Sequence, residues 1–248
     1  MSSTPHVLTA LKNVKCGKCE IIAFENSDKK KAEKWTDKNK LDKSGKIDLA
    51  NFPTPFRALF LGAPNSGKSN MIKNLIIHQR PRFTDIYVVH QDSDGTSEWN
   101  DIDPNGILND IPDQDWFNEI TEEPDKKILL IIDDLEMANA NKIRNHNLSV
   151  LFRYISSHKN ISVCLTSQNF FSVKPDVRKN ANIFFCWKPV ARNEIGLIEN
   201  RVGLDKGTLN QMFKEFRKTQ YDGFCFDFTT SAPAPIRFNL FDPIEIDD

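Results

Sequence analysis

The chain has 248 residues, 33 Lys and Arg against 34 Asp and Glu, a formal net charge of −1 and 39% hydrophobic residues with 18 Phe. That length and apolar content suffice for one good-sized domain with its own core, and the near-neutral balance excludes a globally basic nucleic-acid binder, so any DNA contact must be local or arise by assembly. No apolar run approaches the roughly 18 residues of a membrane span, and residues 1–5 lack the basic and apolar regions of a secretory leader, so an intracellular protein is expected.

Residues 1–50 are expected to form an appendage. The stretch 28–46 is dense in Lys, Asp and Glu, with Ala32, Trp35 and Leu41 as its apolar points; such a segment stays solvated. Cys16 and Cys19 form one C-x-x-C, but zinc usually takes four ligands and no second pair follows. Pro53 and Pro55 mark the entry to a core domain spanning 51–241.

Residues 56–61 are short and apolar, suiting a buried strand. They lead into Gly62-Ala63-Pro64-Asn65-Ser66-Gly67-Lys68-Ser69, which fills every fixed position of the phosphate-binding P-loop. Met71, Ile72, Leu75 and Ile76 then recur at helical spacing. Strand, glycine-rich loop and helix are the setting this motif requires. Its backbone N–H groups and the positive helix end hold phosphates. Gly62 and Gly67 permit close approach, Asn65 and Ser66 shape the loop, Lys68 reaches the β- and γ-phosphates, and Ser69 ligates Mg²⁺. ATP with Mg²⁺ is the expected ligand.

Residues 85–90 read as a second strand, and 91–112 as a polar, turn-rich stretch in which Glu98-Trp99 is a candidate loop over the nucleotide. A short helix is expected from 115 to 120. Ile128 to Ile132 are five consecutive apolar residues, the mark of a central strand buried on both faces. Asp133 and Asp134 emerge at its end, where open α/β sheets bind ligands. This arrangement resembles a Walker B element, in which Asp133 holds Mg²⁺ and Asp134 orients and polarises the attacking water, with Glu136 as a weaker candidate.

Residues 141–157 have helical periodicity. The next apolar run, 161–167, is a strand whose polar tip offers Gln168 as a sensor of the γ-phosphate or the lytic water. Residues 183–187 are a further core strand, 192–201 and 206–218 read as helices, and 223–228 with 236–240 as an antiparallel edge pair. Cys164, Cys186 and Cys225 sit in apolar stretches that suit buried, reduced thiols. The end of the chain, 242–248, is an acidic tail. Strands alternating with helices predict a three-layer α/β fold with a mainly parallel sheet.

Four segments together carry a family resemblance: GAPNSGKS, ILLIIDDLE, residues 147–169 (NLSVLFRYISSHKNISVCLTSQN) and residues 176–187 (DVRKNANIFFCW). The chain resembles the FtsK–HerA superfamily, most of all the genome-packaging ATPases of poxviruses, giant viruses and virophages, over roughly residues 55–200. The resemblance implies a homo-oligomeric ring of five or six subunits that pumps double-stranded DNA into a preformed viral capsid by hydrolysing ATP. It implies a place in the host cytoplasm or with the virion. By position, Lys68 and Ser69 bind ATP and Mg²⁺, Asp133 binds Mg²⁺, Asp134 takes the catalytic acid place and Gln168 the sensor place.

Ring ATPases complete their site with a neighbour's arginine, because the transition state spreads negative charge over the γ-phosphate. Arg178 and Arg192 are the candidates, with Arg153 third. Related chains often carry an Arg just before the His at 158; here Ser157 stands there. DNA would be gripped through its phosphates, whatever the sequence, and residues 139–147, with Lys142, Arg144 and His146, are the candidate pore segment. A GTPase is disfavoured, since no D-x-x-G follows the apolar strand 128–132 and Asn141-Lys142-Ile143-Arg144 fails as an N-K-x-D at its last position, and a nucleotide kinase lacks its Arg-rich lid. A helicase or conjugation-type pump of the same superfamily, or a capsid-associated scaffold without turnover, are the alternatives.

Overall fold

The computed structural model describes residues 52–94, 97–133, 135, 142–189, 192–229, 236–239 and 242–244. The expected appendage 1–50, with Cys16 and Cys19, and the acidic residues 245–248 lie outside the described residues. In chain order the strands are β1 (Arg57–Leu61), β2 (Asp85–His90), β3 (Gly106–Leu108), β4 (Ile128–Asp133), β5 (Ile161–Ser167), β6 (Ile183–Trp187), β7 (Gly223–Asp227), β8 (Ile236–Phe238) and β9 (Asp242–Ile244). They form one nine-stranded sheet in the order β3-β2-β4-β5-β1-β6-β7-β8-β9. Pairing is parallel from β3 to β6 and antiparallel from β6 to β9.

The helices are α1 (Lys68–His78), α2 (Gln114–Ile120), α3 (Lys142–Val150), α4 (Ser156–His158), α5 (Pro175–Asn180), α6 (Arg192–Val202) and α7 (Thr208–Phe216). A π-helical stretch, Leu151–Ile155, joins α3 to α4. Side chains of a strand alternate between faces, and the two cores follow that rule. Ala58, Phe60, Leu129 and Ile131 enter one core with Ile72 and Leu75 of α1. Leu59, Leu61, Leu130 and Ile132 enter the other with residues of α2, α3, α5, α6 and α7. The result is the three-layer α/β arrangement expected from sequence. Phe60 stacks on Phe185 across β1 and β6, with ring centroids 4.5 Å apart, and each such buried ring contributes about 1.5–3 kcal/mol.

Two strands escape the sequence reading. β3 lies inside the stretch expected to be turn-rich. It is only three residues long and is docked by Asn105, whose Oδ1 accepts from the Ile86 amide at 2.7 Å and whose own amide donates to the Ile86 carbonyl at 2.7 Å. At the other edge the expected antiparallel pair is present as β7 and β8, and β9 extends it past residue 241, with Ile244 buried in the core. Between β7 and β8, Arg237 donates to Asp227 in an ion pair whose side chains are both fully buried, and the ring of Phe52 covers the guanidinium at 4.9 Å.

Candidate active site

β1 delivers the chain into the P-loop at the C-terminal end of the parallel strands. Gly62 passes so near its neighbours that a Cβ there would lie 2.6 Å from Ser66 Oγ and 2.9 Å from Trp187 Cβ, so only glycine fits. Asn65 and Gly67 take left-handed backbone angles, φ 58° and 95°. Gly67 stands at the N-cap of α1 and makes no side-chain hydrogen bond to the first amides of that helix. Those N–H groups and the positive helix end are suited to hold an anion. The Ser66 hydroxyl is buried and has no hydrogen-bond partner among the described residues. Lys68 Nζ donates to the carbonyls of Gly62 and Ala63, each at 2.9 Å, which holds the ammonium over the loop it would share with a phosphate chain.

Asp133 ends β4 and is 3% exposed. It accepts from Ser69 Oγ at 3.3 Å, from Thr166 Oγ1 at 2.7 Å and from the Trp99 indole at 3.1 Å. Burial pushes its pKa up, opposed by the Thr166 hydroxyl, with Glu98 raising it further and His90 and Trp99 lowering it. A buried carboxylate beside a serine hydroxyl is a donor set of hard oxygens, which suits Mg²⁺ bound partly through substrate phosphates. The residues present therefore fit that ion.

Lys68, Ser69, Asp133, Thr166 and Gln168 share one cavity of about 870 Å³. Gln168 stands exposed at its edge. Asp134, Glu136 and residues 139–141 lie outside the described residues, as does the side chain of Arg192, whose backbone opens α6. Arg178 does not line the cavity. It lies half-buried on α5, its guanidinium 4.5 Å from the Phe170 ring centroid, and burial lowers its pKa. Arg153 is exposed in the π-helical stretch. Of the candidate pore residues, Lys142 and His146 are exposed, while Arg144 donates to Asp110 at 2.7 Å. An arginine does reach Ser157: Arg57 of β1 donates to its Oγ at 2.6 Å, at the end of the sheet opposite the P-loop.

Two residues of the site were not foreseen in their roles. Trp99 was expected in a loop over the nucleotide; it is instead fully buried beneath Asp133. Thr166 was an unremarked strand residue. A sequence signal for it existed, because Asp133 continues the face of Leu129 and Ile131, and Thr166 the face of Cys164.

No protein-family model matches the chain and no curated protein matches its sequence. Solved structures do match its fold. The DNA-packaging ATPase B204 of Sulfolobus turreted icosahedral virus is 17% identical, with a TM-score of 0.54 over 75% of this chain and 97% of that one. The pCW3 conjugation coupling protein TcpA is 15% identical, with a TM-score of 0.50 over 86% of this chain and 67% of that one. The cytoplasmic domain of the Thermomonospora curvata type VII secretion ATPase EccC is 13% identical, with a TM-score of 0.52 over 97% of this chain and 32% of that one. The chain thus has the three-layer fold of the P-loop ATPases, with its P-loop and the acid of β4 where that fold brings them together.

Proposed function

We propose that the chain is an ATP hydrolase that works as a ring of five or six copies to drive double-stranded DNA into a preformed viral capsid, in the host cytoplasm or on the virion. The observation that carries this reading is the meeting of Ser69 and Asp133 beside the start of α1, where Gly67 provides no side-chain cap. The fold shared with the packaging ATPase B204 supports the choice of cargo. A conjugation-type DNA pump is the second reading, supported by the likeness to TcpA; the two share their nucleotide chemistry and differ in partner.

Ser69 and Asp133 would hold Mg²⁺, which neutralises charge on the β- and γ-phosphate oxygens. The α1 amides cradle the phosphates, and Lys68 exchanges its two loop carbonyls for phosphate oxygens. Asp134 accepts a hydrogen bond from the attacking water and orients it in line. Gln168 reaches that water or the γ-phosphate from the tip of β5. Arg178 or Arg192 of a neighbouring copy supplies positive charge as the bond breaks. Lys142 and His146, exposed at the start of α3, touch DNA phosphates weakly in each copy, and the ring multiplies the contact.

ATP turnover measured with and without double-stranded DNA tests the proposal. DNA should stimulate the wild type, and Lys68→Ala should abolish turnover. Hydrolysis by single copies, indifferent to DNA, would contradict the motor.

A further inference from the structure

We infer that Tyr221 is the platform on which the nucleotide base stacks. This rests on the nucleotide reading of the cavity and assigns its other end. The sheet order β4-β5-β1-β6-β7 fixes two sides of the P-loop. The metal-holding Asp133 of β4, Thr166 of β5 and Gln168 lie on one side, which sets the direction of the γ-phosphate. A triphosphate running along the loop then carries its nucleoside toward β6 and β7. Tyr221 stands there, in the turn that enters β7.

Tyr221 is 57% exposed, although large and aromatic. Among the described residues it is the one aromatic side chain that lines the cavity. Its ring borders the P-loop closely enough that a Cβ on Gly67 would lie 3.5 Å from Tyr221 Cδ1. The backbone that presents it is held firmly. The Trp187 indole donates to the Tyr221 carbonyl at 2.8 Å, and the Tyr221 amide donates to Thr219 Oγ1 at 3.2 Å. Asp222 Oδ2 accepts from the amides of Lys218 and Thr219 at 2.8 and 2.7 Å. An exposed ring on a braced turn, beside a phosphate loop, offers a flat face at little further entropic cost.

The test is equilibrium binding, with Mg²⁺, of ATP, ADP and inorganic tripolyphosphate to the full chain. Tyr221→Ala should weaken ATP and ADP about tenfold, the scale of a lost base–aromatic stack, and leave tripolyphosphate unchanged. Tyr221→Phe, which keeps the ring, should restore nucleotide affinity. An unchanged ATP affinity in Tyr221→Ala overturns the assignment, and so does an equal loss for tripolyphosphate, which would make the residue a prop of the loop. Lys68→Ala separates this from the parent reading. It should weaken all three ligands, and if it weakens none, the P-loop reading fails and takes the platform with it.

Discussion

On the floor of the cleft, Asp133 is 3% exposed and takes hydrogen bonds from α1, from β5 and from the turn that carries Trp99. On the rim, Gln168 stands exposed and Arg178 lies against its own Phe170, off the cavity lining. The floor is organised within one chain, by burial and by donors that leave the carboxylate few other positions. In the proposed ring, the rim gains its role only where a neighbouring copy borders it. Floor residues should therefore matter in any assembly state, and rim arginines only where copies meet.

The largest expected effect is at the floor. Lys68→Ala and Asp133→Ala should each lower ATP turnover of the assembled protein by about a thousandfold or more, the scale of removing a phosphate-side charge or its metal, and each should weaken Mg²⁺-ATP binding in dilute and in concentrated protein alike. Dependence of that loss on protein concentration would erase the distinction. Away from the cleft, Arg237→Ala breaks the buried pair with Asp227. It should cost about 3–5 kcal/mol in denaturant unfolding, because it leaves an uncompensated buried charge. Nucleotide affinity of the molecules that remain folded should not change.

Thr166→Val removes the 2.7 Å donor to Asp133 without changing the side-chain volume much. Loss of a hydrogen bond to a charged group should cost about 1.5–3 kcal/mol of stability, read from the same denaturation. It should also lower affinity for Mg²⁺-ATP more than for ATP alone. A uniform loss for both would make Thr166 structural only. The smallest signal belongs to the rim. Arg178→Ala and Asp134→Ala subunits, each inactive alone, should recover a fraction of wild-type turnover when mixed, because one interface of a mixed ring keeps both groups. Intact rings without recovery would remove Arg178 as the in-trans group.

The parallel core and the P-loop were legible in sequence because each has an unambiguous signature: a two-face apolar run at 128–132 and a motif with fixed glycines. The short edges were not. β3 has only three residues, paired with β2 and docked further by Asn105, and β9 holds a proline at the sheet margin, where strand propensity says little. Trp99 illustrates the limit for the site. A tryptophan in a polar, turn-rich stretch reads as part of a loop over the nucleotide; tertiary packing buries it against Asp133, where the indole N–H finds its acceptor. Tyr221 lies in a turn with no periodicity at all, so its place beside Gly67 is visible only once the chain is folded.

The decisive measurement is a calorimetric titration of ATP, with and without Mg²⁺, into wild type and Asp133→Ala. Uptake by the wild type that Mg²⁺ strengthens, and a variant in which Mg²⁺ makes no difference, is the result expected of a triphosphate and its metal held between Ser69 and Asp133. Well-folded wild type that takes up no Mg²⁺-ATP, or an Asp133→Ala variant that keeps the full Mg²⁺ enhancement, would contradict it.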